Sequence, residues 1–310
     1  MSNLSSPTYS SNRTCSRFIR VLAHTAKCSF STRLLQILAL LAFTLAAITS
    51  GCAKVDSYLN IEVSKQANPW THLNFCNNPD EFQFAIVGDR TGEHRAGVFE
   101  KTVEKLNLLI PEFVISVGDF IEGYNDDETK LNKQWDEFDA MVDKLKMPFF
   151  YVPGNHDIGN EMTARKWRQH LGPTYYHFVY RNVLFLCLNT AGASEGWIDN
   201  KQIEYIQNVL VRYWQVRWTC VFMHHPIWLG QSSESWRKIQ ALLADRHYTV
   251  FAGHLHIYSK SIRDDALYYI LSTTGGQGND HIVWVTMTDK GPVITNLLLE
   301  DILDDNARPH

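Results

Sequence analysis

The sequence is short of acid at one end and short of cysteine throughout. No Asp or Glu occurs before Asp56 in a chain of 310 residues with a formal charge of −4, and this sets the first fifty residues apart from the rest. Six cysteines are present, two of them, Cys15 and Cys28, inside that acid-free segment and the others at Cys52, Cys76, Cys187 and Cys220. No CxxC pair occurs among them, which excludes a disulfide-stapled scaffold and a cysteine zinc finger. Cys187 and Cys220 stand within apolar runs, where a cysteine acts as a small buried hydrophobe; a bridge between them across adjacent strands is the alternative in an oxidising compartment. Internal repeats and low-complexity tracts are also lacking. With 45% hydrophobic and 20% charged residues the composition is that of a globular chain, and collagen-like, coiled-coil and wholly disordered readings are excluded.

The acid-free segment has its own pattern. Arg13, Arg17, Arg20, Lys27 and Arg33 precede the fifteen-residue run from Leu34 to Ile48, broken only by Gln36 and Thr44, and Thr49, Ser50 and Gly51 follow. A basic stretch, a short apolar stretch and then small residues describe an export signal over residues 1–51. The run is shorter than the roughly 20 residues that cross a bilayer, although a tilted or extended segment makes an uncleaved anchor the alternative. Ser50-Gly51-Cys52 resembles the lipobox of bacterial lipoproteins, with Thr49 where an aliphatic residue is usual. That resemblance implies a lipidated Cys52, so membrane association is expected through the anchor or the lipid, and an exported, periplasmic or otherwise extracytoplasmic location. Removal of the leader before Cys52 takes five of the 29 basic residues with it and leaves 24 against 33 acidic, a net of −9. Such a chain lacks the basic surface that displaces counterions from phosphates, so no nucleic-acid partner is expected.

Residues 52–80 show no clear period and read as a linker or an edge-covering arm. From Phe82 short apolar runs alternate with helical spacing: strands at 82–87, 113–117, 148–152, 183–188, 218–223 and 248–252, and helices at 97–109, 128–145, 161–171, 200–213 and 233–243. This alternation predicts an α/β fold with buried, largely parallel strands. Beyond His256 the rhythm becomes strands joined by turns, at 267–272, 281–288 and 293–299, which predicts an antiparallel part. One domain over residues 81–300 and a polar tail at 301–310 complete the expected organisation.

Five polar clusters stand immediately after five of the apolar runs: Gly88-Asp89-Arg90-Thr91-Gly92, Gly118-Asp119-Phe120-Ile121-Glu122, Gly154-Asn155-His156-Asp157, His224-His225-Pro226 and Gly253-His254-Leu255-His256. Ligands gather at the carboxyl ends of parallel strands, so these side chains are expected to converge on one edge. Carboxylates, imidazoles and an amide oxygen without a thiolate suit borderline divalent ions such as Mn, Fe and Zn.

In this order the clusters resemble the calcineurin-like metallophosphoesterase family over residues 82–256. The resemblance implies a four-layer αββα sandwich, two mixed sheets packed between helices. It also implies a dimetal site in which Asp119 bridges two ions, Asp89 and His256 hold the first, and Asn155, His224 and His254 hold the second. His224 is preferred to His225 because the family's ligand stands two residues before the proline. The implied activity is hydrolysis of a phosphomonoester or phosphodiester by metal-activated water, with His156 as general acid oriented by Asp157. Phosphoproteins remain within the substrate class. One departure stands out: the family's first motif is Asp-x-His, and Thr91 occupies the His position. The first ion is then expected to be held weakly, with water or His94 completing its shell and Glu122 bracing the second motif's loop. Arg90 is a candidate for a charge-assisted fork on the substrate phosphate or for a salt bridge at the rim. His225 is expected to line the pocket, and Trp228 to pack in the core.

Two other readings compete. Gly192-Ala193-Ser194-Glu195-Gly196 matches the nucleophile elbow of serine hydrolases, but Asn189, Thr190 and Ala191 separate it from the preceding strand and no oxyanion loop precedes it. The loss of the first-motif His motivates an exported metal- or phospholigand-binding protein without turnover.

Overall fold

The computed structural model describes residues 59–61, 67–73, 81–192, 196–229 and 233–301; the basic and apolar leader, Cys52 and Ser194 lie outside the described residues. Among those described, no helix is long and apolar enough to cross a membrane. Five strands form one sheet in the order β12-β11-β2-β3-β4 and seven form the other in the order β1-β5-β6-β7-β8-β10-β9. The smaller sheet comprises β2 (Phe82–Val87), β3 (Val114–Ser116), β4 (Phe149–Phe150), β11 (His281–Thr288) and β12 (Gly291–Leu298). The larger comprises β1 (Leu59–Ile61), β5 (Tyr176–Tyr180), β6 (Val183–Cys187), β7 (Trp218–Phe222), β8 (Tyr248–Ala252), β9 (Ser259–Arg263) and β10 (Ala266–Ile270). Within each sheet the central strands are parallel, β2 to β4 and β6 to β10, and the outer strands are antiparallel.

Side-chain alternation explains why the sheets stack. On β2, Phe82, Phe84 and Ile86 face the larger sheet, and on β6 Val183, Phe185 and Cys187 face back; all lie in one core between the sheets. Phe178 stacks on Phe185 at 4.6 Å and on Phe150 at 4.2 Å within it. The opposite faces carry Ala85 and Val87, which pack on α1 (Val98–Leu109), α2 (Glu128–Val142) and α3 (Glu161–His170), and Leu184 and Leu186, which pack on α4 (Asn200–Arg212) and α5 (Ser233–Leu243). Three apolar layers between four structural layers make the αββα sandwich expected from the resemblance. The helices start where the chain offers caps: Asp127 accepts from the Thr129 and Lys130 N–H groups, Asn160 from Thr163, and Asp199 from Gln202.

Several expectations need correction. The strand around Leu267 does not join the terminal hairpin; it runs parallel to β8 in the larger sheet, and the hairpin of β11 and β12 adds to the smaller one through an antiparallel pairing of β11 with β2. Strands β5 and β9 were not anticipated, β9 because Ser259–Arg263 is a polar edge strand with no alternation to read. Leu59–Ile61 of the presumed linker pairs with β5 and Trp70 packs on Phe150 and Tyr176, so the described parts of that arm cover an edge. Cys187 and Cys220 are free, buried thiols; the parallel register sets Cys187 opposite Phe222 and Cys220 opposite Phe185, which leaves them out of step for a bridge.

Candidate metal centre

The five clusters follow β2, β3, β4, β7 and β8, so the carboxyl ends of both sheets meet over one site. Backbone hydrogen bonds tie the strand ends together: Asp89 N–H donates to Gly118 O (2.9 Å), Arg90 N–H to Asp119 O (3.0 Å) and Gly253 N–H to His224 O (3.0 Å). Across the sheets, His254 N–H donates to Asp89 Oδ1 at 2.8 Å. The approach is close enough to require glycine. Gly118 has φ +103°, and a Cβ there would lie 2.7 Å from the Gly154 backbone; one at Gly253 would collide with Asp89 Oδ2. Asp89, Asp119, His254 and His256 themselves adopt left-handed φ between 51° and 72°, a conformation uncommon for residues other than glycine, though Asp and His enter it more readily than most.

The side-chain atoms converge. His224 Nε2 lies 2.7 Å from Asn155 Oδ1, 3.2 Å from Asp119 Oδ2 and 3.2 Å from His254 Nδ1, which is itself 3.0 Å from Asn155 Oδ1. Outer contacts aim these atoms inward. The Val117 carbonyl, which can only accept, holds the Nδ1–H of His224 (2.8 Å), so Nε2 presents its lone pair. Asn155 Nδ2 donates to the Tyr124 hydroxyl (2.9 Å), which turns Oδ1 toward the histidines. Beside this group Asp89 Oδ1 stands 3.6 Å from His256 Nε2, and the Gln277 carbonyl holds His256 Nδ1–H at 2.9 Å. The carboxylates of Asp89 and Asp119 and the His224 ring form one set of atoms within 4.8 Å, and His224, His225 and His254 form another.

The donor set fits cations. Asp89 is fully buried and its Oδ2 has no hydrogen-bond partner, a costly arrangement unless a positive charge sits there. Burial first, with the Asp119 charge adding to it, pushes the Asp89 carboxyl up to about 8 against His224. Burial opposes a charge on His224, yet Asp119 and Asp89 hold its ring up at about 9. Asp119, despite burial, is held down at about 2 by His224 and His156. Protons on Asp89 and His224 thus stand in for positive charge among acceptors that are ready to receive it.

The remaining expected residues divide. His156 joins the site through its backbone N–H on Asp119 Oδ1 (3.0 Å), and its ring Nδ1–H donates to the Glu122 carbonyl at 2.8 Å. Asp157 does not contact that ring. Its Oδ2 accepts from Asp119 and Gly154 N–H (both 2.8 Å) and its Oδ1 from Phe120 N–H (2.8 Å), so it clamps the second and third motifs together. Burial and the Asp119 charge raise the Asp157 carboxyl to about 7, against the pull of those N–H groups. Arg90 is buried; it donates to the Phe120 carbonyl (2.9 Å) and pairs with Glu137, which makes it a brace and removes it as a phosphate fork. His94 is paired with Glu122 (2.9 Å) and does not complete the first ion's shell. Burial notwithstanding, the hydrogen bonds from the His94 N–H and ring help to hold Glu122 down at about 2. Trp228 packs among Trp236 and Tyr268 as expected. The loop at 275–278 supports the first motif, with Gly276 N–H on Asp89 O (3.0 Å). Sequence reasoning missed Tyr124, which no motif marks, and the two carbonyls that set the histidine tautomers.

Comparison with known proteins agrees with this geometry. A rat protein, serine/threonine-protein phosphatase CPPED1, is 27% identical over 199 residues, 54% of this chain and 61% of its own length. A probable glycerophosphodiester phosphodiesterase GpdQ of Arcobacter nitrofigilis is 26% identical over 169 residues, 49% of this chain and 59% of its own. The chain therefore spans about three fifths of these relatives. Purple acid phosphatase PPD1 from yellow lupin superposes with a TM-score of 0.59 at 14% identity, over 72% of this chain and 52% of that one, and shares the fold. Residues 82–258, more than half of the chain and all five clusters, match the calcineurin-like phosphoesterase family, to which the chain belongs.

Proposed function

We propose that the protein hydrolyses phosphate esters, monoester or diester, by direct attack of water at phosphorus with two divalent cations bound. The observation that carries this reading is the meeting of Asp119 Oδ2, Asn155 Oδ1, His224 Nε2 and His254 Nδ1 within 3.2 Å of one another or of a shared neighbour, from four separate strand ends. These four would hold one ion, and Asp89, Asp119 and His256 the other. Ions of the Mn, Fe or Zn type suit this set of oxygens and imidazoles, and when bound they lower the pKa of water and neutralise the phosphoryl oxygens. The names of the relatives, a phosphatase and a probable phosphodiesterase, support the same class of substrate.

The chain's own residues supply orientation and a proton. His156 is fixed by Nδ1–H on the Glu122 carbonyl, so its Nε2 is the atom that delivers a proton to the leaving oxygen. Asp157 acts at one remove, by locking the turn that carries Asp119 to the turn that carries Asn155. Thr91 is buried at the place of the family's histidine with its hydroxyl unpaired, so Asp89 is the one carboxylate or imidazole that the first motif offers the first ion, and that ion would be held by fewer such side chains than the second. The test is metal content and turnover measured together on the full chain with p-nitrophenyl phosphate and bis-p-nitrophenyl phosphate. Two equivalents of metal and turnover lost in His156→Ala support the proposal. Stoichiometric metal without turnover of either ester would instead leave a binding protein.

A further inference from the structure

A second feature opens directly onto the metal centre. A cavity of about 310 Å³ has Gly196, Pro226, Ile227, Leu229 and Leu255 as walls, and the rings of His225 and His254 belong to the same lining. Leu229 and Leu255 are each 41% exposed, as is Trp197 next to Gly196, and Ile257 is 53% exposed. Apart from the two imidazoles the described lining has no charged side chain, although the protein as a whole is rich in acid. Exposed apolar side chains grouped around a concave opening mark a binding site, and the volume falls at the small end of ligand pockets.

His225 gives the cavity a polar floor. The residue is only 8% exposed, its backbone N–H donates to Thr190 Oγ1 (2.9 Å), and both ring nitrogens lack a hydrogen-bond partner. Its ring centroid is 4.1 Å from that of His254 and 5.0 Å from that of His224. A buried imidazole with both nitrogens unpaired is costly, and a neutral ring still offers one N–H to an oxygen brought in by a ligand.

We propose that this cavity receives the organic substituent of the phosphate ester, that the substituent is a small hydrophobic alkyl or aryl alcohol, and that His225 donates a ring N–H to a phosphoryl oxygen. The proposal rests on the phosphoesterase reading for its location, since His254 is shared by the cavity and the metal group. It excludes sugar and nucleoside alcohols, which would place unpaired hydroxyls against Leu229, Leu255 and Ile227.

Binding of non-hydrolysable phosphonates separates this idea from turnover. Methyl-, butyl- and hexylphosphonate are titrated calorimetrically into the metal-loaded full-length protein. Affinity should rise about fourfold for each methylene that enters the cavity. Leu229→Asn combined with Leu255→Asn should flatten that series and leave methylphosphonate affinity unchanged, whereas Leu229→Met should retain the slope. His225→Ala should weaken all three ligands by one common factor at unchanged metal content. Equal affinities across the series in the unaltered protein, or an unaltered slope in the double variant, would overturn the proposal; loss of metal in His225→Ala would do so by making that residue a ligand. A chain-length slope in a protein that turns over no ester would support the cavity's role and refute the activity alone.

Discussion

Replacing Asp157 by Asn separates two roles open to that residue, a brace for the turns and a partner for the His156 ring. As a brace, its two oxygens receive three N–H groups at 2.8 Å, from Asp119, Phe120 and Gly154, and a weaker one from Ile121 at 3.4 Å. The side chain is fully buried, so water has no access to replace a lost acceptor. An amide must present its NH2 to one side of this cluster. That orphans either Phe120 N–H or both Asp119 and Gly154 N–H, at about 1–3 kcal/mol for each buried group left unpaired. The expected loss is about 1–3 kcal/mol in the first orientation and about 2–6 kcal/mol in the second, a large part of the roughly 5–15 kcal/mol that stabilises a typical protein. Because the orphaned groups belong to the turns carrying Asp119 and Asn155, metal affinity should fall with stability. Urea denaturation of the metal-free protein and a metal titration measure the two effects. If Asp157 instead oriented the His156 ring, Asp157→Asn would keep its stability within about 0.5 kcal/mol and shift only the pH profile of turnover, and that outcome would refute the brace.

Other consequences are open to equally direct measurement. His156→Ala should slow turnover by about 10²–10⁴, the usual worth of a positioned proton donor, with metal content unchanged. Tyr124→Phe removes the hydroxyl that holds Asn155 Nδ2 and should weaken metal binding by about 10-fold or more, read by competition with a chromophoric chelator. For the metal-free protein, the raised folded-state values of Asp89 (about 8) and His224 (about 9) act in the same direction. Each group favours the folded state while protonated, and that contribution is lost as pH rises through these values. The melting temperature without metal should therefore fall between pH 6 and pH 9, and saturating Mn or Zn should reduce the fall; identical profiles with and without metal would show that neither group faces a cation.

Much of the architecture was legible because both sheets are buried on both faces. The strands at 82–87, 248–252 and 281–288 and the helix at 233–243 have the bounds expected from apolar period alone. What escaped was edge structure, where Ser259–Arg263 pairs through its backbone and its side chains carry no pattern. The convergence of Asp89, Asp119, Asn155, His224, His254 and His256 was likewise legible from their positions after strands. The roles of Arg90, His94 and Asp157 were not, because each is decided by a backbone carbonyl or N–H that sequence does not display. A carboxylate beside a histidine reads as its partner; here the geometry gives the carboxylate to three amides and the imidazole to a carbonyl.

The same reasoning explains why four of the six candidate ligands sit in left-handed backbone. Asp89, Asp119, His254 and His256 each end a strand and must turn the side chain back over the strand's carboxyl end, which an extended residue does not do. Such conformations cost on the order of 1–3 kcal/mol each, and the site adds a buried, unpartnered carboxylate oxygen to that strain. No apolar contact formed by these side chains offsets the cost, since they face one another. A bound cation would add to the positive charge that protons on Asp89 and His224 supply, and would couple metal binding to folding at this site.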